Sequence, residues 1–448
     1  MAVSPFDSTL WTGFWGDPEI APLFSDEAEI AAMLAVEAAL ARAQAGVGMV
    51  PAAAAAAITV AAEAGGIGPE ELAAGVAAAG MPVPALVAAL RKRLPEEHAG
   101  WVHFGATTQD VIDTGLVLRL GRVLALLDAR LARMVGILAA QAERHRGTVI
   151  AARTRGQIAQ PTTLGAKIAV WAMPLVRHRV RLAELQPRVL VVSQAGAAGT
   201  NAAMGGHGRA VMAALAAELG LAPAEVPWHA ARDGIAEVGG WLALVTGSLG
   251  KVGQDLLQLG ASEVGEVTAG KGGGSSTMPN KANPIAADAL VALARVNAHS
   301  VGMLQDAMLT TQERDGAAWG LEWFALPAMA VAAGAATRHA LALAGTLAAN
   351  PERIAATFAA DRGMMLAEAA VFALAETMPR PEAQAAVYRA VAAARDKNVT
   401  LAEALAAQVP GRAWADILDP SRHTGEAKEL VDRLAEAVAG ERGNAPAR

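Results

Sequence analysis

Residues 272–284, which read GGGSSTMPNKANP, concentrate groups that could do chemistry in a chain otherwise rich in alanine and leucine. Three consecutive glycines give up helix propensity, at about 1 kcal/mol per residue relative to alanine, so folding alone does not account for them. Glycines would let the segment close as a lid, serine would supply an oxygen, and Lys281 with Asn283 would stabilise negative charge. A mobile linker is the alternative, although linkers do not ordinarily hold MPNKANP directly against glycines.

Three further polar segments interrupt the apolar background, and each has a plain structural explanation beside a chemical one. Hydroxyl and N–H groups at a helix N-terminus can form an anion site, although the same residues can simply cap the helix. Arginine and glutamine can grip a carboxylate, although a solvated loop would carry them equally well. A glycine-rich segment can be a helix-breaking turn. The segments are HFGATTQD at residues 103–110, RTRGQIAQPTT at 153–163 and QAGAAGTN at 194–201.

The elements that must position these segments are helices. Alanine, the best helix former, supplies much of the 54% hydrophobic content, while one tyrosine and few β-branched runs argue against an extensive sheet. From Val111 an apolar stripe at three- and four-residue steps predicts one amphipathic helix of about 35 residues, roughly 50 Å long. Its members are Leu116, Leu120, Val123, Leu127, Leu131, Met134 and Leu138.

Similar stretches follow at residues 164–190, 234–263 and 285–311. The sequence therefore predicts a bundle of long helices, with functional groups at helix ends or on facing sides. After Asn350 and Pro351 the pattern changes to shorter helices. We divide the chain into an N-terminal helical domain (1–110), a central long-helix bundle (111–349) that carries a lid loop (270–284), and a C-terminal helical domain (350–448).

Composition excludes several classes of function. With no cysteine the chain has no disulfide and no thiolate metal site, and it loses nothing in a reducing cytoplasm. The net charge of −6 gives no general attraction to nucleic acid or anionic lipid, so local groups must bind any anionic ligand. Uncharged runs are broken by glycine and proline, and the start, MAVSPFDSTLW, does not resemble a signal peptide. We expect a cytoplasmic protein with no membrane span and no nucleic-acid partner.

Together, the polar segments resemble the signatures of the fumarase/aspartase superfamily. GSSTMPNKANP matches its pattern G-S-S-x-M-P-x-K-x-N-P, while HFGATTQDVIDT and QAGAAGT resemble its other two signature regions, in the expected order. The resemblance implies an all-α fold of three helical domains and a homotetramer whose central helices form a larger bundle. It also implies active sites shared between subunits, three of which build each site. No metal or organic cofactor is expected, because the motif supplies its own charge stabilisation.

The family's site residues carry over one by one onto this sequence. Its catalytic serine falls on Ser275, six residues before Lys281, and could act as a base only if backbone N–H groups of the closed loop stabilise its oxyanion. His103 could assist proton transfer or be purely structural. Arg314 matches a basic position that the family uses for substrate anions, although this match is less specific than that of the lid. Arg314 follows Glu313, and surface charge would also explain this pair. The remaining substrate-contacting positions are Thr107, Thr108, Gln157, Lys281 and Asn283.

One departure from the family pattern concerns the acid that protonates the leaving group. Many members have histidine in a segment R-T-H-x-Q, and here that position is Arg155. Arginine does not usefully donate a proton at neutral pH, but it can hold an oxyanion through two hydrogen bonds. A carboxylate, whose conjugate acid has a pKa of about 4, attacks or departs without protonation. Arg155 therefore favours a carboxylate nucleophile or leaving group, and we expect Arg155 and Gln157 to orient substrate carboxylates.

Within the superfamily, PVPALVAALR, HFGATTQDVIDTGL and QERDGAAWGLEW are most similar to bacterial 3-carboxy-cis,cis-muconate cycloisomerases. This resemblance implies lactonisation of a small tricarboxylate to 4-carboxymuconolactone in protocatechuate (β-ketoadipate) catabolism. A carboxylate adds to a conjugated double bond, and the neighbouring carbon is protonated. The alternatives are an adenylosuccinate lyase-like or other fumarate-releasing lyase, which the absent histidine disfavours, and a non-catalytic helical structural protein, which the intact Ser275, Lys281 and Asn283 disfavour.

Overall fold

The chain folds almost entirely into helices. The computed structural model describes residues 2–443, and within them strands are confined to three antiparallel pairs, of which only one is longer than two residues per strand. The predicted all-α fold is therefore confirmed. The pairs are β1 (Val149–Thr154) with β2 (Gln157–Thr163), β3 (Val267–Thr268) with β6 (Ala348–Ala349), and β4 (Gly273–Gly274) with β5 (Ala282–Asn283).

The first hundred residues form mostly short helices, because proline and glycine begin and end them. The helix Pro69–Ala79, for example, starts on a proline and closes at Gly80, whose left-handed φ of 72° suits a residue without a Cβ. The helices of this region are α1 (Thr12–Trp15), α2 (Asp26–Gly46), α3 (Ala52–Glu63), α4 (Pro69–Ala79), α5 (Val83–Arg91) and α6 (Glu96–Ala99), with a 3₁₀ turn at Ala21–Phe24.

The four predicted long helices are present. The stripe that follows Val111 lies on a 37-residue helix, about 55 Å long, and the apolar members of the stripe are buried. The other three begin within one residue of the predicted positions. The helices are α7 (Thr108–Arg144), α8 (Leu164–Val189), α10 (Asp233–Leu259) and α11 (Ile285–Asp306), with α9 (Gly208–Leu219) and a 3₁₀ turn (Ala202–His207) between α8 and α10.

A fifth long helix, α12 (Gly316–Thr346), lacks the amphipathic stripe that predicts the other four. It is apolar on nearly every side, and Pro327 lies inside it. It is also the one helix in the described chain that is long and apolar enough to cross a membrane. However, 67% of its most apolar window is buried within the protein, which is typical of a core helix in a folded domain.

The predicted change of pattern at Asn350 coincides with the start of a series of short helices. The Asn350 side chain caps the first of them by accepting a hydrogen bond from the Arg353 N–H at 3.3 Å, and Pro351 occupies the first helical position. The helices are α13 (Pro351–Asp361), α14 (Ala367–Ala375), α15 (Arg380–Lys397), α16 (Leu401–Gln408), α17 (Trp414–Ile417) and α18 (Ala427–Gly443), with 3₁₀ turns at Met364–Leu366 and Pro420–Arg422.

The chain divides into two compact units, each with its own apolar core. The boundaries of these units differ from the three predicted domains, which stay a prediction, and residues 1 and 444–448 lie outside the described part. Unit 1 comprises Met1–Arg130, His178–Gly247 and Ala292–Arg338, and unit 2 comprises Leu131–Arg177, Ser248–Val291 and His339–Arg448.

A buried ion triad in unit 1 holds three elements together. Arg232, the residue before α10, is almost fully buried; its guanidinium lies 2.7 Å from Asp113 Oδ2 on α7 and 2.7 Å from Glu322 Oε1 on α12. Trp319 Nε1 donates to the same aspartate at 3.2 Å. Two carboxylates share one cation, and burial raises the pKa of Glu322 despite the opposing effect of the arginine.

Replacing Arg232 with methionine should lower the free energy of unfolding by about 3–5 kcal/mol, because two buried carboxylates would lose their shared partner. The measurement is the urea midpoint at fixed protein concentration. Arg188→Met is the matched control, since Arg188 is 55% exposed and pairs with Glu237 at the surface. The control should barely move the midpoint; equal shifts in both variants would contradict a special contribution from the triad.

Candidate active site

The first turn of α7, in unit 1, is organised around the carboxylate of Asp110, which is 1% exposed. Its Oδ1 accepts hydrogen bonds from the Ala195 N–H at 2.9 Å and from His229 Nε2 at 2.8 Å. Its Oδ2 accepts from the N–H groups of Thr107 and Gly196, each at 3.0 Å. Four donors thus satisfy a buried anion at a helix N-terminus, where the helix dipole also favours negative charge.

These contacts bring together two of the polar segments that the sequence analysis identified. The segment at residues 194–201 is fixed further by the residue before it, because Thr114 exchanges two hydrogen bonds with the backbone of Ser193, at 2.9 and 3.0 Å. A Cβ on Gly196 would lie only 3.2 Å from the Gly105 carbonyl oxygen, and Gly196 has a φ of 73°. Glycine therefore permits the close approach of the two segments.

The candidate residues Thr107 and Thr108 lie at this turn, and Arg314 reaches it through Gln109. Thr107 precedes α7 and Thr108 begins it; both are half-buried, and neither hydroxyl hydrogen-bonds to a residue that the structure describes. Arg314 is exposed, and its Nε donates to Gln109 Oε1 at 2.9 Å. The turn therefore presents two hydroxyls and a guanidinium, which are groups able to bind a carboxylate.

The candidate His103 lies just before this turn and pairs with a buried carboxylate. Its Nδ1 is 2.6 Å from Glu37 Oε1, and Glu37 is 1% exposed. Burial, the largest single effect, lowers the pKa of His103, but the hydrogen bond to Glu37 and the negative charges of Glu37 and Asp110 together raise it above its ordinary value. His103 has a φ of 64°, so its backbone is also held in the left-handed region.

The middle polar segment, in unit 2, forms the β1–β2 hairpin instead of a loop. Arg155 and Gly156 have φ values of 52° and 79°, so they are the two central residues of a type I′ turn. Arg155 therefore lies at the hairpin tip and Gln157 begins β2 directly after it, and both residues are exposed. The Arg155 side chain makes no ion pair or hydrogen bond with residues in the described range.

A second arginine, close to the tip, anchors β1 of this hairpin. Arg153 donates to both carboxylate oxygens of the fully buried Glu266, at 2.6 and 2.9 Å, and this bond raises the pKa of the arginine. Gln157, by contrast, lines an open cleft of about 780 Å³ together with Arg353 and Thr357 of α13, and no lid residue lines that cleft. Within unit 2, the cleft thus groups Gln157 with the C-terminal helices.

The candidate lid, also in unit 2, is a small hairpin formed by β4 and β5. Ser275 follows β4, and its Oγ accepts hydrogen bonds from the N–H groups of Met278 at 3.1 Å and Thr277 at 3.4 Å. The N–H of Lys281 donates to the Met278 carbonyl at 3.1 Å and closes the turn. The catalytic candidate therefore already has two backbone donors directed at its oxygen.

Two of the three consecutive glycines have a structural role in this hairpin. Gly272 has a φ of 69°, and a Cβ on Gly273 would lie 2.8 Å from Ile285 Cγ2. Asn283 is half-buried opposite Gly273, whereas the Lys281 side chain is exposed and pairs with no carboxylate of the described residues. Ser275, Lys281 and Asn283 thus lie on one hairpin, and the ammonium group of Lys281 makes no ion pair with the described residues. Within the described range, no group of three or more His, Asp or Glu side chains is placed to hold a metal.

Comparison with known proteins decides the family. A family model described as lyase matches residues 17–297, more than half of the chain, and a model described as adenylosuccinate lyase C-terminus matches residues 363–434. The chain belongs to the fumarase/aspartase family of lyases. The family that the polar segments imply by resemblance is therefore confirmed.

Relatives within the fumarase/aspartase family match nearly the whole chain. A 3-carboxy-cis,cis-muconate cycloisomerase of Pseudomonas aeruginosa is 43% identical over 423 residues, which cover 92% of each chain. The crystal structure of a 3-carboxy-cis,cis-muconate lactonizing enzyme from Pseudomonas putida superposes with a TM-score of 0.92 at 36% identity, covering 97% of this chain and 99% of that one. A fumarate lyase from Mesorhizobium sp. BNC1 superposes with a TM-score of 0.88 at 37% identity, covering 95% and 98%.

The residues that hold these polar segments in place are not among the predicted site residues. They are Glu37, Gln109 and His229, together with Asp110, whose segment is predicted only to cap a helix or to bind an anion. One sequence signal could have indicated two of them: acidic residues at 110 and 113 and basic residues at 229 and 232 share a three-residue spacing. That spacing would place both acids on one face of a helix.

The His103–Glu37 pair makes a prediction about pH. Because the folded-state pKa of His103 lies above its unfolded value of about 6.5, the stability from the pair is fully present below pH 6.5 and is lost as pH rises through the raised pKa. Glu37→Gln should therefore lower the urea midpoint most near about pH 6 and least near about pH 9.

The control for this series is Glu29→Gln, on the same helix. Glu29 lies 3.7 Å from Arg119, which does not titrate in this range, so its effect should stay constant with pH. A deficit in the Glu37→Gln variant that is equally large at both pH values would contradict a raised pKa of His103.

Proposed function

We propose that the protein is a cycloisomerase that converts 3-carboxy-cis,cis-muconate to 4-carboxymuconolactone in the protocatechuate (β-ketoadipate) pathway. One substrate carboxylate adds to the conjugated double bond and forms a C–O bond. The displaced electron pair moves to the neighbouring carbon and its carboxylate, giving an aci-carboxylate dianion. Protonation of that carbon completes the lactone, so the addition has no leaving group and the trianionic substrate takes up one proton to become a dianionic lactone.

Ser275 is the residue to which we assign the proton transfer. A serine hydroxyl is a very weak acid, so its oxyanion must be stabilised if it is to exchange a proton with carbon. The N–H groups of Thr277 and Met278 already point at Ser275 Oγ in the lid hairpin. Lys281 lies six residues later in the sequence. Its ammonium group makes no ion pair with the described residues and can supply a positive charge.

The presence of arginine at position 155 is the observation that favours lactonisation over release of fumarate. Arg155 occupies the position where many family members have the histidine that protonates a leaving group, and an arginine cannot serve as that acid near neutral pH. A carboxylate nucleophile does not require protonation, since its conjugate acid has a pKa of about 4. The exposed tip of the hairpin presents the Arg155 guanidinium without a carboxylate partner in the described chain, as a binding site for a substrate oxyanion would require.

The three carboxylates of the substrate require several separate donors. We assign this role to Arg155 and Gln157 on the hairpin, to Lys281 and Asn283 on the lid, and to the turn at the start of α7. That turn contributes Thr107 and Thr108, and Arg314 bonds to its Gln109. Donors that surround the dianion as it forms stabilise its charge without the cost of reorganising water.

The proposed assembly is a cytoplasmic homotetramer in which three subunits build each active site. Long helices of unit 1 expose large apolar side chains, including Leu244 at 50% and Phe324 at 78%, which is typical of surfaces that bind another chain. A helix bundle shared between four copies would bury them. The absence of cysteine is compatible with a reducing cytoplasm.

Purified protein should remove the diene absorbance of 3-carboxy-cis,cis-muconate without releasing fumarate. Ser275→Ala should lower kcat by about a thousandfold or more, because the proton-transfer group is gone, while the oligomer and substrate binding persist. Ser276→Ala is the matched control and should retain most of the turnover. Release of fumarate from a succinyl adduct, with an unchanged carboxymuconate spectrum, would replace the cycloisomerase by the lyase alternative; no turnover on any dicarboxylate would favour a structural protein.

Shared active sites predict complementation between inactive variants. Ser275→Ala and Thr108→Val, each strongly impaired alone, should regain about a quarter of wild-type turnover when co-assembled in equal amounts, because random assortment gives one site in four both intact segments. Mass spectrometry of the mixed oligomers verifies that assortment has taken place. Verified mixed oligomers with no more activity than the two parents combined would contradict sites built from different subunits.

A further inference from the structure

Gln109 is a buried amide in unit 1 for which the proposed chemistry has no role. It lies in the first turn of α7 and is 1% exposed. Its Oε1 accepts the hydrogen bond from Arg314 Nε at 2.9 Å, and its Nε2 donates to the His229 carbonyl at 2.9 Å. Both ends of the amide are therefore used, one toward a donor and one toward an acceptor, and this fixes its orientation.

The acceptor for Gln109 belongs to a rigid part of unit 1. The His229 ring is tied to Asp110, whose carboxylate also holds three backbone N–H groups. Three residues later, Arg232 is locked between Asp113 and Glu322. The carbonyl of His229 is therefore held in a fixed position. Gln109, which is hydrogen-bonded to it, can in turn orient another side chain.

The donor to Gln109 lies on a more exposed segment. Arg314 precedes α12, and its neighbour Asp315 caps that helix by accepting from the N–H groups of Ala317 and Ala318 at 3.0 and 3.1 Å. Of the Arg314 guanidinium, only Nε has a partner among the described residues. The two Nη groups form the free end of the fork.

We propose that Gln109 is a positioning residue that turns Arg314 so that its two Nη groups grip a substrate carboxylate end-on. This inference rests on the proposed function, in which Arg314 binds a substrate anion. With Nε occupied by the amide, the side-on pair of Nε and one Nη is closed to the ligand, and the end-on pair remains. Glutamate could accept from Nε, but it could not donate to the His229 carbonyl, and its charge would compete with the substrate for Arg314.

The experiment is a double-mutant cycle on turnover of 3-carboxy-cis,cis-muconate. Gln109→Leu should raise KM about tenfold, the equivalent of one hydrogen bond of roughly 1.4 kcal/mol, with a smaller change in kcat. Arg314→Lys should raise KM at least as much, because an ammonium lacks the fork. The double variant should be no worse than Arg314→Lys alone, since Gln109 acts through the guanidinium.

Gln141→Leu is the matched control. Gln141, in unit 2, also donates its amide to backbone carbonyls, at 3.4 and 3.5 Å, but it contacts none of the candidate site residues. It should lower the thermal midpoint without changing KM. If Gln109→Leu does not fold, Gln109→Glu provides the test, and its KM should rise by more than tenfold because of the added negative charge.

The outcomes separate this inference from the proposed function. Independent, additive effects of Gln109→Leu and Arg314→Lys, or a wild-type KM in either Gln109 variant, would overturn the positioning role. An unchanged KM in Arg314→Lys would remove Arg314 from the substrate site. Absence of turnover in the wild-type enzyme would instead refute the cycloisomerase assignment itself.

Discussion

The buried carboxylate of Asp110 is the interaction on which the candidate site in unit 1 depends. A carboxylate at 1% exposure is stable only if its oxygens are fully hydrogen-bonded, and here four donors from three chain segments provide that. The same hydrogen bonds also hold in place the loops that supply the donors. Two family signature regions, separated by more than eighty residues, are thereby fixed against the first turn of one helix.

The spacing of residues on α7 explains how one helix organises so much of its surroundings. Asp110 and Asp113 are three positions apart, so they lie on one face, and they bind His229 and Arg232, which are also three apart. Gln109, one position earlier, donates to the His229 carbonyl and accepts from Arg314. Arg232 is also the cap of α10, since its carbonyl accepts from the Ala236 N–H at 3.1 Å. The start of α10 is thus aligned by the same helix face that supports the site.

The long helices could be predicted because their apolar periodicity is a local property of the sequence. α12 could not, because it is apolar on nearly all sides and contains Pro327. The β1–β2 hairpin was also missed: two-residue I′ turns are usually signalled by Asn-Gly or Asp-Gly, and here Arg155 precedes the glycine. The lid segment and the threonines are predicted from the signature that they resemble, whereas Gln109 and Glu37 make contacts that no local pattern encodes, and His229 is indicated only by its three-residue spacing from Arg232.

The distribution of positive charge explains how a protein of net charge −6 could bind a tricarboxylate. Arginines with structural roles, such as Arg153 and Arg232, are neutralised by buried carboxylates. The three candidate cations differ, since Arg155 and Lys281 have no carboxylate partner in the described residues and Arg314 bonds only to a neutral amide. These cations leave donors available to an anionic ligand, as an anion site requires. Long-range attraction to the substrate is weak in such a protein, so selectivity must come from these local donors and from their orientation.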